Sequence, residues 1–247
     1  GRWVVNTYLL VHGAWHGAWC WYRIIPALEK AGHKVIAVDL PSLGADKTPV
    51  SEIGPYTWAD SVCDVIDSLD EQVILVGHSR GGIIISQVAE RRPDKIKSLV
   101  YLTAFMVENG ESLLSTADLP VNAGTMVPPN MVVNEEGGYA TVREEAIEDA
   151  FYHLCTAEDV ALSKSLLQPE ALQPLMATVE ISDENYGRVP RVYIEALQDH
   201  AVTLPLQKYF QEKLPCNKVI SIDSDHSAFF SRPAELIDAL LNLSESV

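Results

Sequence analysis

The sequence predicts an α/β fold: a mostly parallel central sheet flanked by helices, with a helical cap inserted into the core. Three observations lead there. Short β-branched runs alternate with helical patterns from Val4 to about Phe105. The rhythm stops at Val107 and gives way to a stretch rich in acids, Pro and Ala. It resumes at Arg191, with strand and helix signals alternating once more. The sheet needs strands from both sides of the interruption, so 1–106 and 186–247 form one core and 107–185 the cap.

The strands expected in the first half are Val4–Val11, Lys34–Asp39, Gln72–Val76 and Ile96–Thr103. Each reads as a nearly continuous apolar run, the pattern of strands covered on both faces. A helix is expected from about Trp21 to Ala31, with Gly32 as its stop. Another covers Tyr56–Leu69, where Trp58, Val62, Val65, Ile66 and Leu69 recur at helical spacing. A third starts just after Ser79 and runs towards Arg92, ending before Pro93. In the inserted segment, helices are expected near Glu144–Leu154, Glu158–Leu167 and Pro169–Met176, and no core strand. Strands return at Arg191–Leu197 and Lys218–Asp223. The last helix opens with Ser231, Pro233 and Glu235, a capping arrangement.

A chain of 247 residues, 47% hydrophobic and 21% charged, can bury a large core without disulfides or metal staples. Cys20, Cys63, Cys155 and Cys216 form no C-x-x-C pair, and no Cys/His cluster has zinc-ligand spacing. They read as reduced, buried thiols of a cytoplasmic protein. Gly1-Arg2-Trp3-Val4-Val5 shows no signal-peptide pattern, and no apolar run is long enough to span a bilayer. The formal charge of −16 argues against nucleic acid. Between Val107 and Asn185 there are 15 of the 34 acids against two bases, Arg143 and Lys164, which reads as a solvated face.

The most informative stretch is Val73-Ile74-Leu75-Val76-Gly77-His78-Ser79-Arg80-Gly81-Gly82. A buried strand runs into Gly-x-Ser-x-Gly and directly into a helix, the setting that separates a nucleophile elbow from an ordinary glycine-rich turn. Ser79 is the candidate nucleophile. A serine hydroxyl needs a base, and among seven histidines His226 has the best setting. It lies in the loop beyond a strand, at the carboxyl end of the sheet where Ser79 also lies. The remaining histidines sit in turns, loops or the cap. His12 and His16 are read as braces for their own loop.

A carboxylate must orient the imidazole. Asp199 follows the strand Arg191–Leu197 and occupies the equivalent loop one strand earlier. Glu195 lies inside that strand, Asp223 ends the next one, and Asp225 braces the His226 loop. Some related hydrolases take the acid after the strand ending at Thr103-Ala104-Phe105, but no carboxylate occurs there before Glu108. The order Ser79, Asp199, His226 fits this fold type. Acyl transfer also needs oxyanion donors. The Arg80 N–H follows the nucleophile directly, and the Ala14 N–H lies in the small-residue loop after the first strand.

His12-Gly13-Ala14-Trp15-His16-Gly17-Ala18-Trp19-Cys20-Trp21, Gly77-His78-Ser79-Arg80-Gly81-Gly82 and Asp225-His226 resemble the plant methylesterase and hydroxynitrile lyase group of the α/β-hydrolase superfamily. The resemblance continues through Tyr152–Leu162 and Arg191–Ile194, nearly the whole chain. It implies a serine carboxylesterase that cleaves small-to-medium hydrophobic or aromatic esters beneath a cap. Bacterial relatives include carboxylesterases acting on bulky esters such as pyrethroids. Homodimers are usual among the plant enzymes. No metal or organic cofactor is implied, and the partner is a small-molecule ester. Lyases of the group typically carry Thr or Asn where this chain has Gly13, and the triad-bearing branch has Lys after the catalytic histidine, where this chain has Ser227. Esterase is therefore favoured over lyase, with a slow-turnover receptor as a further alternative. Arg80 replaces an apolar residue common in plant members. Its side chain either meets a substrate carboxylate or pairs with a local acid.

Overall fold

The structure is a computed structural model that describes residues 4–243. Gly1, Arg2 and Trp3, part of the stretch in which no signal-peptide pattern is expected, lie outside the described residues. In chain order the elements are β1 (Thr7–Val11), α1 (Ile25–Lys30), β2 (Lys34–Ala37), α2 (Thr57–Asp67), β3 (Val73–His78), α3 (Gly81–Arg91) and β4 (Ile96–Leu102). The inserted segment holds α4 (Leu113–Ala117), β5 (Met131–Asn134), β6 (Tyr139–Val142), α5 (Glu144–Phe151), α6 (Ala157–Leu166), β7 (Glu170–Ala171) and α7 (Gln173–Met176). The chain continues through β8 (Arg191–Ala196), α8 (Leu204–Lys213), β9 (Lys218–Ile222), α9 (Ala228–Ser231) and α10 (Pro233–Leu241).

Six strands form one parallel sheet in the order β2-β1-β3-β4-β8-β9. The chain goes from β1 to one side for β2 and returns to the other side for β3. That reversal opens a crevice at the carboxyl ends of β1 and β3, where α/β sheets hold their ligands. Strand alternation divides the core into two layers. Leu9, Val11, Leu75, Leu99 and Tyr193 pack on one face with Trp58, Val62, Ile84 and Val88. Tyr8, Leu10, Ile74, Val76 and Ile194 pack on the other with Trp21, Leu28, Phe229 and Leu236. Each such side chain, removed from water, contributes roughly 1.5–3 kcal/mol. The edge strands β2 and β9 are only partly covered. The apolar run Lys34–Asp39 is therefore not sheltered on both faces, because an edge strand lacks a second neighbour.

Gly32 ends α1 as its position suggests. Its φ is 95°, its N–H donates to the Glu29 carbonyl, and the His33 N–H reaches back to Leu28. This paired arrangement needs a left-handed residue, and glycine takes that conformation without a Cβ penalty. The expected helix from Trp21 is shorter, because a 3-10 turn at Ala18–Trp21 precedes α1. The capping expectation for α10 is corrected. Ser231 caps nothing there and instead donates its hydroxyl to Asp225 Oδ1 at 2.7 Å, while Arg232 takes the cap position.

The inserted segment differs from an all-helical expectation. β5, β6 and β7 form a small antiparallel sheet, turned by Glu135-Glu136-Gly137-Gly138 with Gly138 at φ 70°. β7 takes up part of the stretch Pro169–Met176, leaving α7 shorter than expected. These strands are two to four residues long, and β5 is largely exposed, so they carry no buried apolar run. All four cysteines are free. Cys20 and Cys63 are buried, whereas Cys155 and Cys216 are half-buried rather than enclosed. Burial raises the thiol pKa of all four, which keeps them protonated at neutral pH. Among the described residues no helix is long and apolar enough to cross a membrane.

Candidate active site

The elbow is built by close backbone approach. A Cβ on Gly77 would sit 2.8 Å from the Gly81 carbonyl oxygen, and one on Gly81 would sit 2.8 Å from that of Val11. On Gly82 it would lie 2.0 Å from the Phe105 carbonyl oxygen, an impossible contact. Ser79 itself adopts φ 54°, the left-handed conformation that costs a non-glycine residue about 1–2 kcal/mol. Backbone bonds hold it there. Its N–H donates to Leu102, and its carbonyl accepts from Gly82 and Phe105. The strain persists because β3, α3 and the loop after β4 all fix the same residue.

Asp199 and His226 meet on the neighbouring loops. His226 Nδ1 lies 2.6 Å from Asp199 Oδ2, and both side chains are almost fully buried. Asp199 Oδ1 accepts from the Ala201 and Val202 N–H groups at 2.7 and 3.0 Å. A second group, which sequence reasoning missed, shares Oδ2: the Thr103 hydroxyl donates to it at 2.6 Å. Thr103 is buried, at φ 37°, directly after β4. A signal for it existed, since this is the place where some related hydrolases carry the acid itself. Asp225 accepts from Leu154 N, Ser227 N and Ser231 Oγ, so it ties the His226 loop to the end of α5. His78 Nε2 donates to the His226 carbonyl at 2.8 Å, which joins that loop to the elbow.

The loop after β1 is pinned from behind. The Arg80 guanidinium, buried with no exposed surface, pairs with Glu170 of β7 through Nε at 2.6 Å and Nη2 at 3.1 Å. It also donates to the His12 and Gly13 carbonyls, each at 2.9 Å, and lies over the Trp58 ring. Glu170 Oε1 in turn accepts from Trp15 N at 3.2 Å. All of Arg80's charge is spent inward, away from any substrate. Glu170 left no trace in the sequence, being one acid among many in an acidic segment. Among the described residues, the Ala14 and Arg80 N–H groups donate to no protein acceptor.

His12 Nδ1 donates to the Gly13 carbonyl and its Nε2 accepts from Leu40 N, so the ring is neutral. His16 bridges the Ala14 carbonyl and the Tyr152 hydroxyl. Burial, helped by the Arg80 charge, holds His12 well below the usual histidine range. Burial likewise brings His16 to about 3 and depresses His78, with His226 close by.

Ser79, Arg80 and Ala14 border one cavity of about 250 Å³. Its walls include Leu113, Leu114, Val127, Met131, Phe151 and Leu175, all from the inserted segment. The model of the alpha/beta hydrolase family matches residues 8–239. The chain belongs to the alpha/beta hydrolase family. It is 35% identical to methylesterase 1 of Arabidopsis thaliana, across 96% of this chain and 95% of that protein. It spans 64% of the length of a longer chloroplastic methylesterase-like protein from the same plant. The crystal structure of tomato methylketone synthase I complexed with 2-tridecanone superposes with TM-score 0.88 at 30% identity, covering 98% of both chains.

Proposed function

We propose that this α/β hydrolase, an enzyme acting on ester bonds, cleaves small-to-medium hydrophobic or aromatic carboxylic esters through Ser79, His226 and Asp199. The observation that carries the reading is the buried 2.6 Å contact between His226 and Asp199, in a loop tied to a strained elbow that presents Ser79 to an apolar cavity. His226 takes the Ser79 proton as the hydroxyl attacks the ester carbonyl, and Asp199 stabilises the imidazolium. The unspent N–H groups of Ala14 and Arg80 receive the oxyanion. Protonated His226 then gives its proton to the leaving alcohol. Water, activated by the same histidine, releases the acid and restores Ser79. None of these steps needs a metal or an organic cofactor.

Residues 107–185 are the cap in this reading, since they supply most of the residues that line the cavity. A bound acyl or aromatic group is held by dispersion and desolvation there. No cationic side chain follows His226. Ser227 is buried in that place, which leaves a departing cyanide without a counter-charge and disfavours the lyase alternative. The homodimer is part of the proposal, and sedimentation velocity reads it directly.

Hydrolysis of p-nitrophenyl esters of increasing chain length, compared with Ser79→Ala, tests the reading. Turnover that disappears with Ser79 is the expected result, with a preference for acyl groups that fit the cavity. Absent turnover, or turnover retained by Ser79→Ala, would overturn it.

A further inference from the structure

The chain just beyond α5 and the loop after β8 meet beside the site, and three metal-ligand residues face one another there. Asp149 lies in the last turn of α5, His153 is two residues past its end, and His200 directly follows Asp199. One donor atom from each lies within 4.8 Å of the others. His200 Nδ1 is 3.2 Å from Asp149 Oδ1 and 2.8 Å from the Asp149 carbonyl oxygen. The two imidazoles stack with centroids 3.8 Å apart and planes 4° apart. His153 Nδ1 is buried and has no hydrogen-bond partner among the described residues. A buried polar atom without a partner calls for an explanation, and the reaction proposed above makes no use of it.

We propose that Asp149, His153 and His200 bind one divalent transition-metal ion of the Zn²⁺, Co²⁺ or Ni²⁺ class, clipping the end of α5 to the loop that carries Asp199. Two imidazole nitrogens and one carboxylate oxygen suit ions of that class, whereas Mg²⁺ and Ca²⁺ favour all-oxygen shells. The ion takes the unpartnered His153 Nδ1, His200 Nδ1 and Asp149 Oδ1, with water completing the shell. His200 now donates from Nδ1 to the Asp149 carbonyl, so on binding it adopts the other tautomer and carries its proton on Nε2. Ligand atoms of a tetrahedral ion with bonds of about 2.0–2.1 Å lie roughly 3.3 Å apart. The three groups therefore draw inward and the stacked rings tilt. Asp149 is exposed, which leaves it free to move. The formal charge of −16 favours the approach of a cation. Sequence spacing conceals the site, because His200 comes from a distant loop.

The test is titration of the metal-free chain with CoCl₂, followed by visible absorption, and thermal melting with ZnCl₂. One saturable equivalent of Co²⁺ with a nitrogen-ligated d–d band is expected. At a hundredfold excess over Kd, Zn²⁺ should raise Tm by roughly 5–10 °C. His153→Gln and His200→Gln should each weaken Co²⁺ at least tenfold, and Asp149→Asn less. Far-UV circular dichroism of each metal-free variant verifies folding without recourse to activity. An absent band, a band retained by the double variant His153→Gln/His200→Gln, or an equal Tm rise with Ca²⁺ would each overturn the site.

Discussion

The elbow around Ser79 and the segment 107–185 above it are held by opposite means. At the elbow the constraint is local and steric. Three glycines let backbone meet backbone, and no side chain larger than hydrogen fits at Gly82. The inserted segment is held at long range, by side chains such as Phe151 and Leu175 buried in the core layers and by polar ties to distant residues. Glu170 grips Arg80, Leu154 N and Cys155 Sγ donate to Asp225, Asp159 receives Tyr22 and Arg23, and Gln168 accepts from Gly44 N. The difference separates two kinds of information. Chemistry resides where the backbone has one way to pass, and pocket shape resides where distant side chains happen to meet.

The comparison breaks most severely at the elbow. Gly82→Ala should fail to fold, read as insoluble expression or absent near-ultraviolet dichroism, since its Cβ would collide with the Phe105 carbonyl. Ser79→Ala should instead fold with an unchanged Tm while kcat/KM falls about a thousandfold or more. Next comes the tie between the two regions. Glu170→Ala leaves Arg80 charged, buried and unpaired, and should cost about 3–5 kcal/mol in urea denaturation. The double change Arg80→Met/Glu170→Leu should cost markedly less, because it removes both charges. Equal losses would show that the pair matters for packing alone.

Smaller effects sharpen the picture. Thr103→Val removes the hydroxyl on Asp199 while keeping its shape, and should lower kcat about tenfold, the size of one hydrogen bond to a charged group. Thr103→Ser should restore most of it. The buried histidines predict the pH response of stability. His16 titrates at about 3 in the fold against 6.5 when exposed, so the unfolded chain binds the proton first. Its contribution is complete above pH 6.5 and is lost as pH falls towards 3, by about 1.4 kcal/mol per pH unit. His16→Gln should flatten the decline by about one proton in denaturation midpoints taken from pH 6.5 to 4. The smallest effect belongs to Arg23→Ala, whose half-exposed ion pair with Asp159 should contribute 0.2–1 kcal/mol.

What could be read from the chain alone follows the same division. The parallel sheet, the elbow and the three loops bearing Ser79, Asp199 and His226 announce themselves through apolar runs, glycines and chain order, all short-range signals. The strands β5–β7 did not, because short exposed strands bury too little to leave a pattern. Arg80 stood out as unusual, but its partner was hidden. Glu170 lies ninety residues away in sequence among many other acids, and only folding selects it. The pairing of His153 with His200 was concealed for the same reason, whereas Thr103 stands where some related hydrolases carry the acid and so left a signal. The amino-acid sequence by itself determined the sheet and the place of the glycine-lined elbow at Ser79, since these depend on periodicity and on backbone sterics within a few residues. Tertiary structure alone decided which acid neutralises Arg80, which hydroxyl steadies Asp199 and which side chains wall the cavity. Those choices depend on distances in space that no local pattern encodes.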